Sequence, residues 1–180
     1  DYYDMAAIVE ETPGAVAVFN LVPSLLEQIV DYAAGTAGDP FLVRGSMVPS
    51  DMAEADRLFL LDNFFSANRQ RMIEPYPRYH ELLCLAGEGG AGGRGDRLRF
   101  FSNQDLLDLQ VWFFLAWTGE MVRRRYPEVQ ELIREGRGFT LDERDRLLAI
   151  HRQVLQAIIP LYRFLHETGR AELSITPYYH

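Results

Sequence analysis

The last stretch of the chain, Gly169-Arg170-Ala171-Glu172-Leu173-Ser174-Ile175-Thr176-Pro177-Tyr178-Tyr179-His180, constrains the fold more than any other. Residues 172–176 alternate in character, as a half-buried strand does. Pro177 has no N–H to give a ladder, so pairing ends there and the chain turns out of the sheet. Tyr178, Tyr179 and His180 then stand just past the carboxyl end of the strand, where parallel α/β proteins place their ligands. These three are candidate binding residues. A strand this close to the final residue predicts that residues 1–180 are a piece of something longer.

A second strand is expected near the other end. Residues 15–21 are apolar and β-prone apart from Asn20, the pattern of a strand covered on both faces. Pro23 suits a first helical turn, Ser24 with Glu27 spells a capping box, and Gly35 sits where a helix-ending glycine belongs. Leu25, Leu26 and Ile29 supply the buried stripe of this helix. Residues 15–35 thus read as one strand–turn–helix unit. Asn20, at the carboxyl end of the strand, is either a turn-forming residue or a ligand contact.

Between the two strands the chain reads as helix. Asp1 to Glu11 forms the first, with Met5, Ile8 and Val9 on its stripe. Residues 35–49 are loop-like. Asp51 to Asn68 is helical, with Leu58, Leu61, Phe64 and Phe65 facing inward, and Tyr79 to Leu85 is a short helical piece. Gly87 to Gly95 holds six glycines, without the lysine and preceding strand of a phosphate-binding loop, and reads as a linker. Ser102 with Asp105 caps a helix that is apolar on nearly every side from Leu106 to Trp117. It is far short of the ~20 residues a membrane span takes and reads as a core helix. Trp112 and Trp117 are the residues there able to stack on the ring of a ligand. Arg123-Arg124-Arg125, flanked by Glu120, Glu128 and Glu131, reads as a solvated face. Thr140 and Glu143 open a last long helix running to about Thr168, with Leu147, Ile150, Val154, Leu155 and Ile158 inside and a kink expected at Pro160.

Composition excludes several classes. A net charge of −8 argues against a nucleic-acid partner, which wants a basic stripe. All 18 basic residues are arginine, which we read as genome composition. The single Cys84 excludes an internal disulfide and any paired-cysteine metal motif. His80, His151 and His166 are scattered, so neither metal nor cofactor is expected. No membrane span is expected, and the assigned compartment is the cytoplasm.

Gly-Arg-Ala-Glu-Leu followed by Thr-Pro-Tyr-Tyr-His resembles a sequence region of glycoside hydrolase family 57, in its α-amylase and amylopullulanase branch. Asp1-Tyr2-Tyr3-Asp4-Met5 resembles the start of the family's first helix. Phe19-Asn20-Leu21-Val22-Pro23-Ser24-Leu25-Leu26-Glu27 resembles its second strand–helix junction, and residues 139–180 resemble the family again. The resemblance implies an α/β fold, a fragment of a (β/α)7 TIM-like barrel. Its parallel strands 15–22 and 171–176 would flank a large helical insertion. Residues 1–49 and 169–180 would belong to the barrel and 50–168 to the insertion.

The implied partner is an α-glucan polysaccharide or oligosaccharide, together with the remainder of the same polypeptide. Family members are retaining enzymes with a glutamate nucleophile and an aspartate acid/base on later strands, so no catalytic residue is expected within 1–180. Glu172, near the amino end of its strand, is expected to be structural. The implied substrate-binding set is His180, Tyr178, Tyr179 and Asn20. Some glucanotransferases of the family carry glutamate at the position of His180, and histidine leans toward the amylase branch. Rival readings are a metal-dependent deacetylase or mannosidase on a similar barrel, which would need His and Asp ligands near strand ends, and a helical interaction module. An exposed apolar groove on the 103–168 helices would favour the module.

Overall fold

The computed structural model describes residues 2–87 and 97–177. The chain is a mixed α/β protein, mostly helical, with two parallel strands among the described residues. It divides into two compact units, one made of residues 1–38, 119–126 and 149–180, the other of 39–118 and 127–148. The first unit therefore takes in two stretches of the expected insertion.

In the first unit, α1 (Tyr2–Glu11) leads to β1 (Ala17–Leu21) and then α2 (Pro23–Ala34). Strand β2 (Ala171–Ile175) pairs with β1 in parallel, from Ala17 opposite Ala171 to Leu21 opposite Ile175. The strand positions and direction agree with the sequence reading. The sheet is not covered on both faces, however: Val16 is 71% and Val18 68% exposed, while Phe19 and Leu21 turn inward. A ring contact marks the inner side, with Phe19 edge-on to Tyr162 at 5.0 Å. On the other side Val18, Asn20, Glu172 and Ser174 are exposed, so one-sided burial appears where a strand covered on both faces was expected.

Two arginines tie helix ends in this unit. Arg170, just before β2, donates to the carbonyls of Val9, Glu10 and Thr12 at the end of α1. Arg152 donates to those of Ala33 and Ala34 at the end of α2, at 3.0 and 2.7 Å. Each meets carbonyls at a helix terminus, where most lack an intrahelical partner. Gly35 closes α2 at φ 77°, a left-handed conformation that glycine takes without strain.

The capping box at Ser24 and Glu27 does not form. Helix α2 starts two residues earlier than a Ser24 cap would have it, with Pro23 at its first position and Val22 as a cap without a side-chain bond. The stripe of α1 also differs: Tyr3, Ala6, Ala7 and Val9 are buried, whereas Met5 and Ile8 are exposed. The two alanines let α1 come close to its neighbours, and α7 (Glu120–Arg125) packs there. Arg125 of α7 pairs with Glu10 at 2.7 Å and Glu11 at 2.8 Å and donates to the Tyr3 hydroxyl at 2.9 Å. The arginine triplet is therefore not simply a solvated face, because its last member cross-links two helices.

The second unit is built round α6 (Asn103–Ala116), whose residues from Leu106 to Ala116 are all buried. The capping box of Ser102 and Asp105 forms as expected, and the Thr140–Glu143 box forms at the start of α9 (Leu141–Glu167). Helices α3 (Pro40–Ser46), α4 (Glu54–Asn63) and α5 (Pro77–Ala86) lie against α6. Helix α8 (Pro127–Glu135) belongs to the same unit. Helix α3 occupies a stretch expected to be loop. Asp39 caps it by accepting from the N–H groups of Phe41 (2.7 Å) and Leu42 (3.0 Å), with Pro40 at the first position. Helix α4 is shorter than the expected 51–68, and a π-helical turn follows at Arg69–Ile73. Helix α9 continues through Pro160 unbroken to Glu167.

Aromatic packing fills this unit. The rings of Phe64 and Phe113 stack at 4.2 Å, and Phe41 stacks on Phe113 at 5.6 Å. Gly45 on α3 is buried against them, and a Cβ there would run into the ring of Phe114. Gly45→Ala is therefore expected to destabilise the chain by about 1–3 kcal/mol, as overpacking does. An unchanged melting temperature would show that Phe114 shifts freely.

Candidate functional site

The carboxyl ends of β1 and β2 bring three short polar side chains together. The Asn20 amide donates to the Thr176 hydroxyl at 2.8 Å, and the Ser174 hydroxyl lies 3.4 Å from the Asn20 amide oxygen. Parallel register makes this possible, since Asn20 stands directly opposite Ser174. Asn20 and Ser174 are exposed and Thr176 is half-buried. Asn20 thus joins the strands through its side chain, and its remaining polar capacity faces solvent. The cluster is neutral, offering amide and hydroxyl donors and acceptors suited to hydroxyl groups.

Pro177 follows β2 outside the ladder, at the same end as Asn20. The expected site residues Tyr178, Tyr179 and His180 lie outside the described residues, as does the greater part of the expected glycine linker. Glu172 is exposed opposite Val18, towards the amino-terminal half of the ladder and away from the cluster.

The two tryptophans part company. Trp112 is 1% exposed, donates its indole N–H to the Gly136 carbonyl at 2.9 Å, and lies parallel to the ring of Tyr79 at 6.1 Å. It is a core residue with no face left for a sugar. Trp117, at the end of α6, is 60% exposed.

His166 places Nδ1 3.1 Å from the Ala171 carbonyl, and His80 places Nε2 3.7 Å from the sulfur of Cys84. His151 lies on α9, and burial holds its pKa at about 4, well below the ordinary imidazole value. Among the described residues, no three His, Cys, Asp or Glu side chains are grouped to hold a metal ion.

The most elaborate polar constellation is one that pattern reading missed. Asp108, 1% exposed on α6, accepts from Arg78 Nε (2.8 Å) and Gln104 Nε2 (2.9 Å). It also accepts from the backbone N–H groups of Gly138 (3.1 Å) and Phe139 (3.2 Å). Arg78 reaches Asp105 as well. Desolvation opposes the Arg78 charge, but the hydrogen bonds and charges of Asp105 and Asp108 outweigh it and leave its pKa raised. Two residues further along α6, Gln110 donates to the carbonyls of Arg44 and Met47 at 2.7 and 3.0 Å. The signal was available: a polar residue on a helix apolar all round must find partners. Four donors converge on this one carboxylate, which ties α5, α6 and the 136–140 turn together.

An apolar groove opens in the first unit. Leu21, Leu26, Ile158, Ile159, Tyr162 and Leu173 line a concavity of about 240 Å³, with Arg163 and His166 also on its wall.

Comparison with protein-family models, curated proteins and solved structures returns no significant match for this chain. Among the described residues, no helix is long and apolar enough to cross a membrane.

Proposed function

We propose that residues 1–180 form the substrate-binding part of a retaining glycoside hydrolase acting on α-glucans, of amylase or amylopullulanase type. The observation that carries the reading is the strand-end cluster of Asn20, Ser174 and Thr176, brought together by parallel pairing across a long helical excursion. Neutral amide and hydroxyl groups match a neutral polyol, and the carboxyl ends of parallel strands are where barrel enzymes bind substrate. Exposed Val16 and Val18 support a place for β1 and β2 within a larger sheet, since parallel sheets are normally buried on both faces. In this reading the two strands belong to a (β/α)7 barrel, Tyr178, Tyr179 and His180 extend the site, and the catalytic carboxylates come from outside residues 1–180. A 4-α-glucanotransferase or branching enzyme would use the same cluster.

The test is titration of the chain with maltoheptaose, followed by amide chemical shifts. Saturable shifts are expected around Asn20, Ser174 and Thr176, with no release of reducing sugar. Asn20→Ala is expected to weaken binding about threefold to tenfold, the worth of one neutral hydrogen bond, without changing the fold. Absence of any saturable shift at the strand ends would remove the glucan reading. Release of reducing sugar above an Asn20→Ala control would place catalysis within these residues.

A further inference from the structure

The groove over β1 and β2 has a chemistry that the glucan reading does not use. Its walls are aliphatic and aromatic: Leu21 and Leu173 from the strands, Leu26 from α2, and Ile158, Ile159 and Tyr162 from α9. A pyranose presents hydroxyls all round its ring and would find almost nothing to bond there. Two cationic or potentially cationic groups share the wall, and among the described residues no carboxylate does. His166 uses Nδ1 toward the Ala171 carbonyl, which leaves Nε2 on the other side of its ring. Arg163 is exposed and, among the described residues, has neither a hydrogen-bond nor an ion-pair partner. Its situation contrasts with Arg152 and Arg170 of the same unit, whose guanidinium groups are occupied with backbone carbonyls.

We propose that this groove binds an unbranched aliphatic carboxylate, with the hydrocarbon chain along the Leu and Ile walls and the carboxylate on Arg163. The guanidinium matches a carboxylate in charge and in its paired N–H geometry. At about 240 Å³ the concavity falls a little below the range of ordinary ligand pockets. It therefore suits one slender chain better than the several anchors of a docked peptide helix. The apolar lining argues equally against a free phosphate, which would want several donors around it. The site is independent of the strand-end cluster, so its failure leaves the glucan reading standing.

The experiment is a titration of the 180-residue chain with octanoate below its micelle concentration, read by amide chemical shifts and calorimetry. Octan-1-ol serves as the probe without charge and propionate as the probe without chain. Octanoate is expected to give saturable shifts confined to Leu21, Leu26, Ile158, Ile159 and Leu173, and to bind about tenfold tighter than octan-1-ol. Propionate is expected not to saturate. Arg163→Gln, at an exposed helical position whose folding circular dichroism would confirm, is expected to bring octanoate down to the level of octan-1-ol and leave the alcohol unchanged. Leu26→Gln is expected to weaken both long-chain probes together. The proposal is overturned by shifts scattered outside the groove, by equal binding of octanoate and octan-1-ol to the unaltered chain, by propionate binding as well as octanoate, or by an Arg163→Gln chain that keeps its preference for the carboxylate.

Discussion

Asp108→Ala is expected to destabilise the chain by about 3–5 kcal/mol, the cost of breaking a buried, hydrogen-bonded charge pair. Alanine would take one of its carboxylate partners from Arg78, itself buried, and would also orphan the backbone N–H groups of Gly138 and Phe139. Arg78 keeps Asp105 at 2.5 Å, so its own loss is partial, but the two backbone donors have no replacement among the described contacts. Urea unfolding followed by the fluorescence of Trp112, whose indole bonds Gly136 in the 136–140 turn, is the direct measurement. The companion double change Asp108→Leu with Arg78→Met should recover part of the loss, because it removes both charges and restores apolar volume. A midpoint for Asp108→Ala equivalent to less than ~1 kcal/mol of destabilisation would show that water reaches the cluster.

The second large effect is on acid stability. His151 is half-buried by surface exposure, yet enough protein surrounds its ring to strip hydration from the imidazolium, and its pKa is held at about 4. The same imidazole in the unfolded chain takes a proton near pH ~6.5. Between these values the unfolded chain binds more protons than the folded one, so stability falls as pH drops through that window. Above the window the neutral ring costs nothing. The loss amounts to at most ~3 kcal/mol by pH 4, at 1.36 kcal/mol for each unit of displacement. Carboxylates titrate in the lower part of this range, so the quantity to measure is the difference between the unaltered chain and His151→Gln from pH 7.5 to 4. That difference should shrink on acidification, because the variant lacks the titrating ring. Direct observation of the His151 ring protons titrating near pH 6.5 would refute the mechanism.

Much of the architecture was legible because local chemistry dictated it. Pro177 ends β2 wherever the strand lies, since it cannot donate. Ser102 with Asp105 and Thr140 with Glu143 start helices because each pair satisfies orphan N–H groups within one turn. The unbroken apolar run of α6 could be read as core, because no arrangement leaves it in water. The same kind of pattern misled at Ser24 and Glu27, where Pro23 had already begun the helix. It misled again on α1, where the larger apolar residues Met5 and Ile8 face out. There the small size of Ala6 and Ala7, together with the pull of Arg125 on Glu10 and Glu11, sets the buried face. Periodicity records which residues are apolar and is silent about which neighbour arrives. Short α3 was missed for a related reason: seven residues carry too little period to be seen, although Asp39 and Pro40 spelled its start.

By itself the sequence determined the capping of α6 and α9, the place of both strands and the neutral character of Asn20, Ser174 and Thr176. Those properties depend on residues a few positions apart. Only the tertiary structure decided that Asn20 bonds Thr176 across the strand pair, that Asp108 gathers Arg78 with two N–H groups of a distant turn, and that Arg163 stands free of described partners beside an apolar groove. Each of these joins groups far apart along the chain. Which distant groups meet is settled by packing and by the need of buried polar atoms for partners, and neither can be read along one dimension.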